Sequence, residues 1–248
     1  MVLLVVAIFL SWRPLLAWWA DDAGNRALVR GQTTGALSWF AQSLALEPDW
    51  RMVHEDRGRA LLTLDPQSAV VEFDYAACGA PCDAEAGDAL VRLGRPDEAV
   101  DRYVRAHAAQ RVFAAARDLA RAGRYDAALH LVRGLVAQLH DNFIERSDLA
   151  ASYASLGSLE LDASATEPKH ATALRSQAIA DYATASRLSP FNEGYLLSLA
   201  SAQMRFGDQR AARKAYEKLL ELHPHEPNAE AALHSSLGSS DQSDQQVP

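Results

Sequence analysis

The feature that most constrains this chain is a pattern that returns six times along it. The segment ADDAGNRALVRGQTTGALSWFAQSLALEPDW carries Gly24, Leu28, Gly31, Ala36, Phe40, Leu44 and Pro48, at the spacing of two helices folded back on each other. Small residues at Gly24 and Ala36 let the helices approach, and Gly31 occupies the turn. Phe40 fills the space between hairpins and Pro48 ends the second helix. The first-helix small residue returns as Gly58, Gly87, Ala116, Ala150 and Ala200, and the turn position as Asp65, Gly94, Gly123, Gly157 and Gly207. The second-helix small residue returns as Ala69, Ala99, Ala128, Ala178 and Ala212, and the aromatic position reads Phe73, Tyr103, Val132, Tyr182 and Tyr216. A chain that repeats in this way needs no central core, so its 248 residues do not by themselves set a domain count.

Departures from the period carry information of their own. First-helix small residues lie 34 positions apart from Gly24 to Gly58, 29 in each of the next two steps, 34 to Ala150, and 50 to Ala200. The short steps trim the connections near Cys78 and Cys82. The long step predicts an insertion over residues 158–176 of the fifth repeat: one helix prolonged, a break at Pro168, and the next helix begun early. After Pro227 the chain reads as a capping segment on the last repeat, and from Ser235 as a disordered Ser/Asp/Gln tail. Hydrophobic residues make up 49% of the chain without the alternation that marks strands, so the expected class is all-α.

These positions make residues 17–226 resemble the tetratricopeptide repeat family, the fullest single match being NEGYLLSLASAQMRFGDQRAARKAYEKLLELHP at 192–224. The resemblance implies a right-handed α-solenoid of about six hairpins, with the first helices lining a concave groove that receives a protein or peptide. In register, the groove positions include Asn25, Arg59, Arg92, Phe113, Arg117, Arg121 and Arg205. Two readings of those arginines stand side by side: an acidic peptide ligand, or guanidiniums solvated and paired with neighbouring Asp and Glu. The family's clamp for a terminal carboxylate fails residue by residue, because Asp21 stands where Lys is expected and Arg59 where a second Asn is expected.

The first twenty residues differ in kind. MVLLVVAIFLSWRPLLAWWA is apolar but for Ser11, Arg13 and Pro14, and is just long enough to cross a bilayer core of roughly 30 Å. An uncleaved membrane anchor is the expectation, with Trp12, Trp18 and Trp19 suited to the interface. A cleaved signal peptide and a buried first helix are the rival readings; no basic residue precedes the apolar run, and Trp18 suits a cleavage site poorly. The domain plan is therefore an anchor at 1–20, repeats at 21–227, and a cap with tail at 228–248. Arg26 and Arg30 follow the apolar segment and favour a cytoplasmic side by the positive-inside rule, whereas a cysteine pair favours an extracytoplasmic, periplasmic or cell-surface one. The second is the expectation.

Chemistry is sparse. The sequence holds no phosphate loop, no GxGxxG, no HExxH and no GxSxG, and its eight histidines are scattered. No cofactor or metal site is expected, and no catalytic residue. With a net charge of −8 and no basic face, nucleic acid is excluded as an expected partner. Cys78 and Cys82, in CGAPC, are expected to form a disulfide, with free thiols the alternative. The functional expectation is a non-catalytic scaffold or adaptor at a membrane surface. Its runner-up is the terminal or accessory portion of a polytopic, O-antigen ligase-like glycan-handling membrane enzyme, in which a transmembrane helix runs straight into such repeats.

Overall fold

The computed structural model describes the backbone of residues 2–233 and the side chains from Trp12 onward. The chain divides into two compact units, 1–115 and 116–248. Among the described residues every regular element is a helix.

The first unit holds three hairpins: α1 (Val2–Val29) with α2 (Thr33–Leu46), α3 (Arg51–Leu61) with α4 (Pro66–Ala76), and α5 (Ala80–Arg92) with α6 (Pro96–Arg105). The following helix α7 (Ala109–Arg121) begins in the first unit and ends in the second. Each hairpin closes by putting an aromatic ring where the opposing helix has no side chain. A Cβ at Gly24 would stand 2.5 Å from the Phe40 ring, one at Gly58 2.8 Å from Phe73, and one at Gly87 2.7 Å from Tyr103. All three distances lie inside van der Waals contact, so these helical glycines are needed for close approach. The aromatics are fully buried. Phe40 also joins Ala27, Ala36, Val53 and Ala60 in one cluster, so it fills the notch inside its own hairpin and meets the next one.

Turns α1–α2 and α5–α6 are built alike. Gly31 and Gly94 take φ of 73° and 70°, the left-handed conformation that glycine adopts without a Cβ penalty. The amide three places past the helix then reaches back, Gln32 to the Ala27 carbonyl and Arg95 to that of Leu90, both at 2.9 Å, which satisfies carbonyls the helix leaves open. Asp65 occupies the glycine place in the repeat but plays another part: it caps α4, its carboxylate accepting from the Ser68 amide at 3.2 Å and hydroxyl at 2.6 Å, ahead of Pro66 at the first helical position.

Helix α1 bears on the anchor expectation. It runs unbroken past residue 20, and its contacts with α2 begin well before that point. Ala17 and Ala20 are buried, the Ser43 hydroxyl donates to the Ala17 carbonyl at 2.8 Å, and Trp19 meets Trp39 edge-on at 5.3 Å. Arg13 donates to the Leu46 carbonyl at the end of α2, so its guanidinium serves as a cap there. Residues 13–20 are therefore part of the first hairpin. Among the described residues no helix is long and apolar enough to cross a membrane. Residues 1–11, on which the anchor expectation mostly rests, lie outside the described side chains.

The second unit contains α8 (Tyr125–Gln138), α9 (Arg146–Thr166) with α10 (Ala171–Leu188), and α11 (Glu193–Phe206) with α12 (Gln209–Leu222). The 50-residue step becomes two long helices: α9 has 21 residues, α10 has 18, and the break falls at 167–170 around Pro168. Gly157, expected in the turn, instead lies inside α9, where a Cβ would stand 3.0 Å from the Tyr182 ring. The insertion prolongs the helix past the place where a standard repeat turns, so Gly157 takes the notch role. A further helical segment, 227–233, buries Ala229 against Leu196, Ala200, Tyr216 and Leu219, which caps the α11–α12 hairpin. The tail expected from Ser235 lies outside the described residues.

Candidate functional site

The first unit turns a continuous polar face outward from its first helices. Asn25 on α1 donates to Asp56 on α3 at 2.9 Å. Arg59 on α3 donates to Glu85 on α5 at 3.0 and 3.2 Å, to Asp56 at 3.4 Å, and to Glu55. Asp88 on α5 accepts the Tyr103 hydroxyl at 2.7 Å and pairs with Arg111 on α7. These bonds run from α1 to α7 across the hairpins, which places the first-helix positions on one surface and fixes their spacing.

That surface is richer in carboxylates than in guanidiniums. Partial burial works against the charge of Arg59, but its hydrogen bond to Glu85 and the fields of Glu85, Glu55 and Asp56 outweigh burial and raise its pKa. Arg59 is thus a cation already in use, as the paired reading has it. Asp22 pairs with Arg26 at 2.7 Å. Asp21 is different. It is 5% exposed, and its Oδ1 has no hydrogen-bond partner. Burial first, then the fields of Asp56 and Asp22, push its pKa up to about 6.

The other expected groove residues divide between the units. Arg92 is exposed and Phe113 half-buried, both in the first. In the second, Arg121 pairs with Asp118 at 2.9 Å, Arg117 is exposed and makes no ion pair among the described residues, and Arg205 lies over the Phe206 ring at 4.8 Å. Arg117 and Arg121 are four positions apart on α7, as the register requires.

Cys78 and Cys82 form a disulfide, their Cα atoms 5.4 Å apart, which staples the short α4–α5 turn to the first turn of α5. Glu55 lies within 4.8 Å of both sulfurs. Because each sulfur is bonded to the other, this group offers an ion one ligand where a stable site needs three or four.

Two buried polar centres were not legible as such in the sequence. His54 faces Glu72 through Nδ1 at 2.7 Å and the Pro48 carbonyl through Nε2 at 2.8 Å, stacks on Tyr75, and shares Glu72 with Arg57 at 3.0 Å. It ties the end of α2 to the α3–α4 hairpin. In the second unit Glu160 on α9 is fully buried beside Asp181 on α10, and Arg133 on α8 donates to it at 2.9 Å. Burial and the neighbouring Asp181 raise the pKa of Glu160, against the pull of Arg133. Three residues from three helices made one centre, and no local spacing announces it.

No family model and no curated protein matches the chain. Among solved structures it is similar to a MamA fragment from Desulfovibrio magneticus, at 19% identity over 85% of this chain and 97% of that one, with a TM-score of 0.35. It is similar to a TPR repeats protein from Bacteroides fragilis, at 14% identity over 76% and 98%, with a TM-score of 0.45. A third is the TPR2AB domain of yeast Sti1 in complex with an HSP90 peptide, at 15% identity over 87% and 94%, with a TM-score of 0.33. The hairpins are tetratricopeptide-like. The glycine-to-aromatic notch recurs from hairpin to hairpin in this chain.

Proposed function

We propose that this protein is a non-catalytic interaction scaffold that presents the first-helix face of its tetratricopeptide-like hairpins to a protein partner at a membrane surface. The observation that carries the reading is the cross-hairpin ladder through Asn25, Asp56, Arg59, Glu85, Asp88 and Arg111. A polar face fixed by its own hydrogen bonds loses little side-chain freedom when a partner arrives, which favours recognition. Membrane association is supported by α1, where Trp12, Leu15, Leu16, Trp18 and Trp19 each leave 45–59% of their surface exposed while Ala17 and Ala20 face α2. Amphipathic Trp side chains beside Leu suit the water–lipid boundary. The Cys78–Cys82 bond supports an oxidising, extracytoplasmic location for the repeats. No observation in the described residues favours the glycan-handling reading.

A photo-crosslinking residue placed at Asn25, Glu55 or Asp88 in the full chain is expected to capture a partner that the same probe at Arg105, on α6, does not. Equal capture from both places, or none from the first three, overturns the scaffold reading. Flotation of the full chain with lipid vesicles tests the membrane part: Trp12→Ser with Trp18→Ser is expected to leave the chain at the bottom of the gradient, and unchanged flotation removes the interface role.

A further inference from the structure

Five of the carboxylates on the first-helix face, Asp21, Asp22, Glu55, Asp56 and Glu85, have only two guanidiniums near them, those of Arg26 and Arg59, while the sixth, Asp88, pairs with Arg111. An acidic cluster alone is ordinary on a protein surface. What sets this one apart is Asp21, whose side chain is buried beside Asp56 and Asp22 and whose Oδ1 finds no donor. Removing a carboxylate from water without a hydrogen bond or a counter-charge is costly, and a bound ion or cation is one of the partners that offsets that cost. The usual structural compensations are used up nearby. Arg26 is engaged by Asp22 and Arg59 by three other carboxylates, while the Asn25 amide is given to Asp56. Helix α2, packed against α1, contains no charged residue.

We infer that the α1–α3 part of this face binds a cationic side chain, Lys or Arg, presented by a basic segment of the partner protein and seated over Asp22 and Asp56 with Asp21 beneath. This deepens the scaffold reading by giving the partner's chemistry at the same face. It replaces the acidic ligand expected from the arginines, because the nearest of them, Arg59, is neutralised by its own neighbours. Asp22 and Asp56 remain partly open to solvent, with side chains 39% and 18% exposed, so a cation reaches them without unfolding the hairpin. The field of a unit charge held there extends to Asp21 through a medium of lower dielectric than water.

The test titrates the full chain with fluorescent hexa-arginine and hexaglutamate peptides across a salt series. Hexa-arginine is expected to bind, weakening steeply as salt rises, and hexaglutamate is not. Asp22→Asn with Asp56→Asn is expected to lower hexa-arginine affinity at least tenfold. Asp118→Asn with Glu217→Gln removes the same charge elsewhere and is expected to leave it unchanged. Equal losses in the two pairs mean attraction to an acidic chain only, and overturn the inference. Asp21→Asn gives an independent reading: it is expected to weaken the peptide while raising the melting temperature, since the unpartnered carboxylate is removed. A variant that melts higher and binds as before shows that Asp21 has no part in binding. If the double variant melts low, Asp22→Asn alone carries the comparison. Capture of a partner at Asn25 that hexa-arginine does not displace would defeat the inference and leave the scaffold reading standing.

Discussion

Asp21 in the first unit and Glu160 in the second are both carboxyls buried beside another carboxylate, and burial is the largest cause raising the pKa of each. They differ in what closes them. Arg133 reaches Glu160 from a third helix and completes an internal centre inside the prolonged hairpin. No guanidinium reaches Asp21, which stands at the margin of an exposed polar face. Each keeps one buried oxygen without a donor, Oδ1 of Asp21 and Oε2 of Glu160, but only Glu160 has its other oxygen held by a guanidinium. The hairpins differ in how tightly the notch is filled: a Cβ at Gly24, Gly58 or Gly87 would stand 2.5–2.8 Å from its ring, whereas one at Gly157, in the prolonged α9, would stand 3.0 Å away.

The largest effect expected concerns the notch. Phe40→Ala removes a fully buried ring and leaves the Gly24 cavity open, at a cost of about 3–5 kcal/mol in urea denaturation. A loss below 1 kcal/mol would show that the hairpin does not depend on the fit. Arg133→Met comes next. Leaving Glu160 and Asp181 without a cation is expected to cost roughly 2–3 kcal/mol at neutral pH, allowing for the half-exposed guanidinium. The same variant is expected to lose less at pH 5. In the fold Glu160 keeps its proton up to about 7, whereas the unfolded chain releases it in the ordinary carboxylate range. Its protonation therefore stabilises the fold most in acid, and that contribution is lost as pH rises to about 7. A melting temperature of the parent that rises over that interval, after subtraction of the Glu160→Gln background, would refute the assignment.

Gly24→Ala is expected to destabilise by about 1–2 kcal/mol, because the ring contact outweighs the gain in helix propensity. Gly157→Ala, with a looser contact of 3.0 Å, is expected to cost less. The reverse order would break the comparison between the notches of the first and fifth hairpins. Smallest is Asp65→Ala, expected to lower the melting temperature slightly through loss of the α4 cap, with Asp65→Asn recovering most of it.

The hairpins were legible in the sequence because each is local. Gly24 and Phe40, or Gly87 and Tyr103, lie sixteen residues apart on adjacent helices, and a turn glycine between them leaves few other ways to pack. The break near Pro168 was equally legible, since proline limits where a helix can continue. Gly157 was misread because its type, not its neighbours, was visible: a turn glycine and a notch glycine are the same residue until the length of the helix is known. The expected groove positions were assigned from register, and of them Asn25 and Arg59 are joined across the hairpins by hydrogen bonds, but the charge state of that face could not be read from register. Whether Arg59 is free or held depends on Glu85, 26 residues later on another helix, and the standing of Asp21 depends on Asp56. The sequence alone determined the repeating helix pairs, because close packing between neighbours in the chain writes itself as a period. Only the tertiary structure decided which charges are spent and which are left, because electrostatic partnership is set by distance in space, and distance in space between hairpins carries no period.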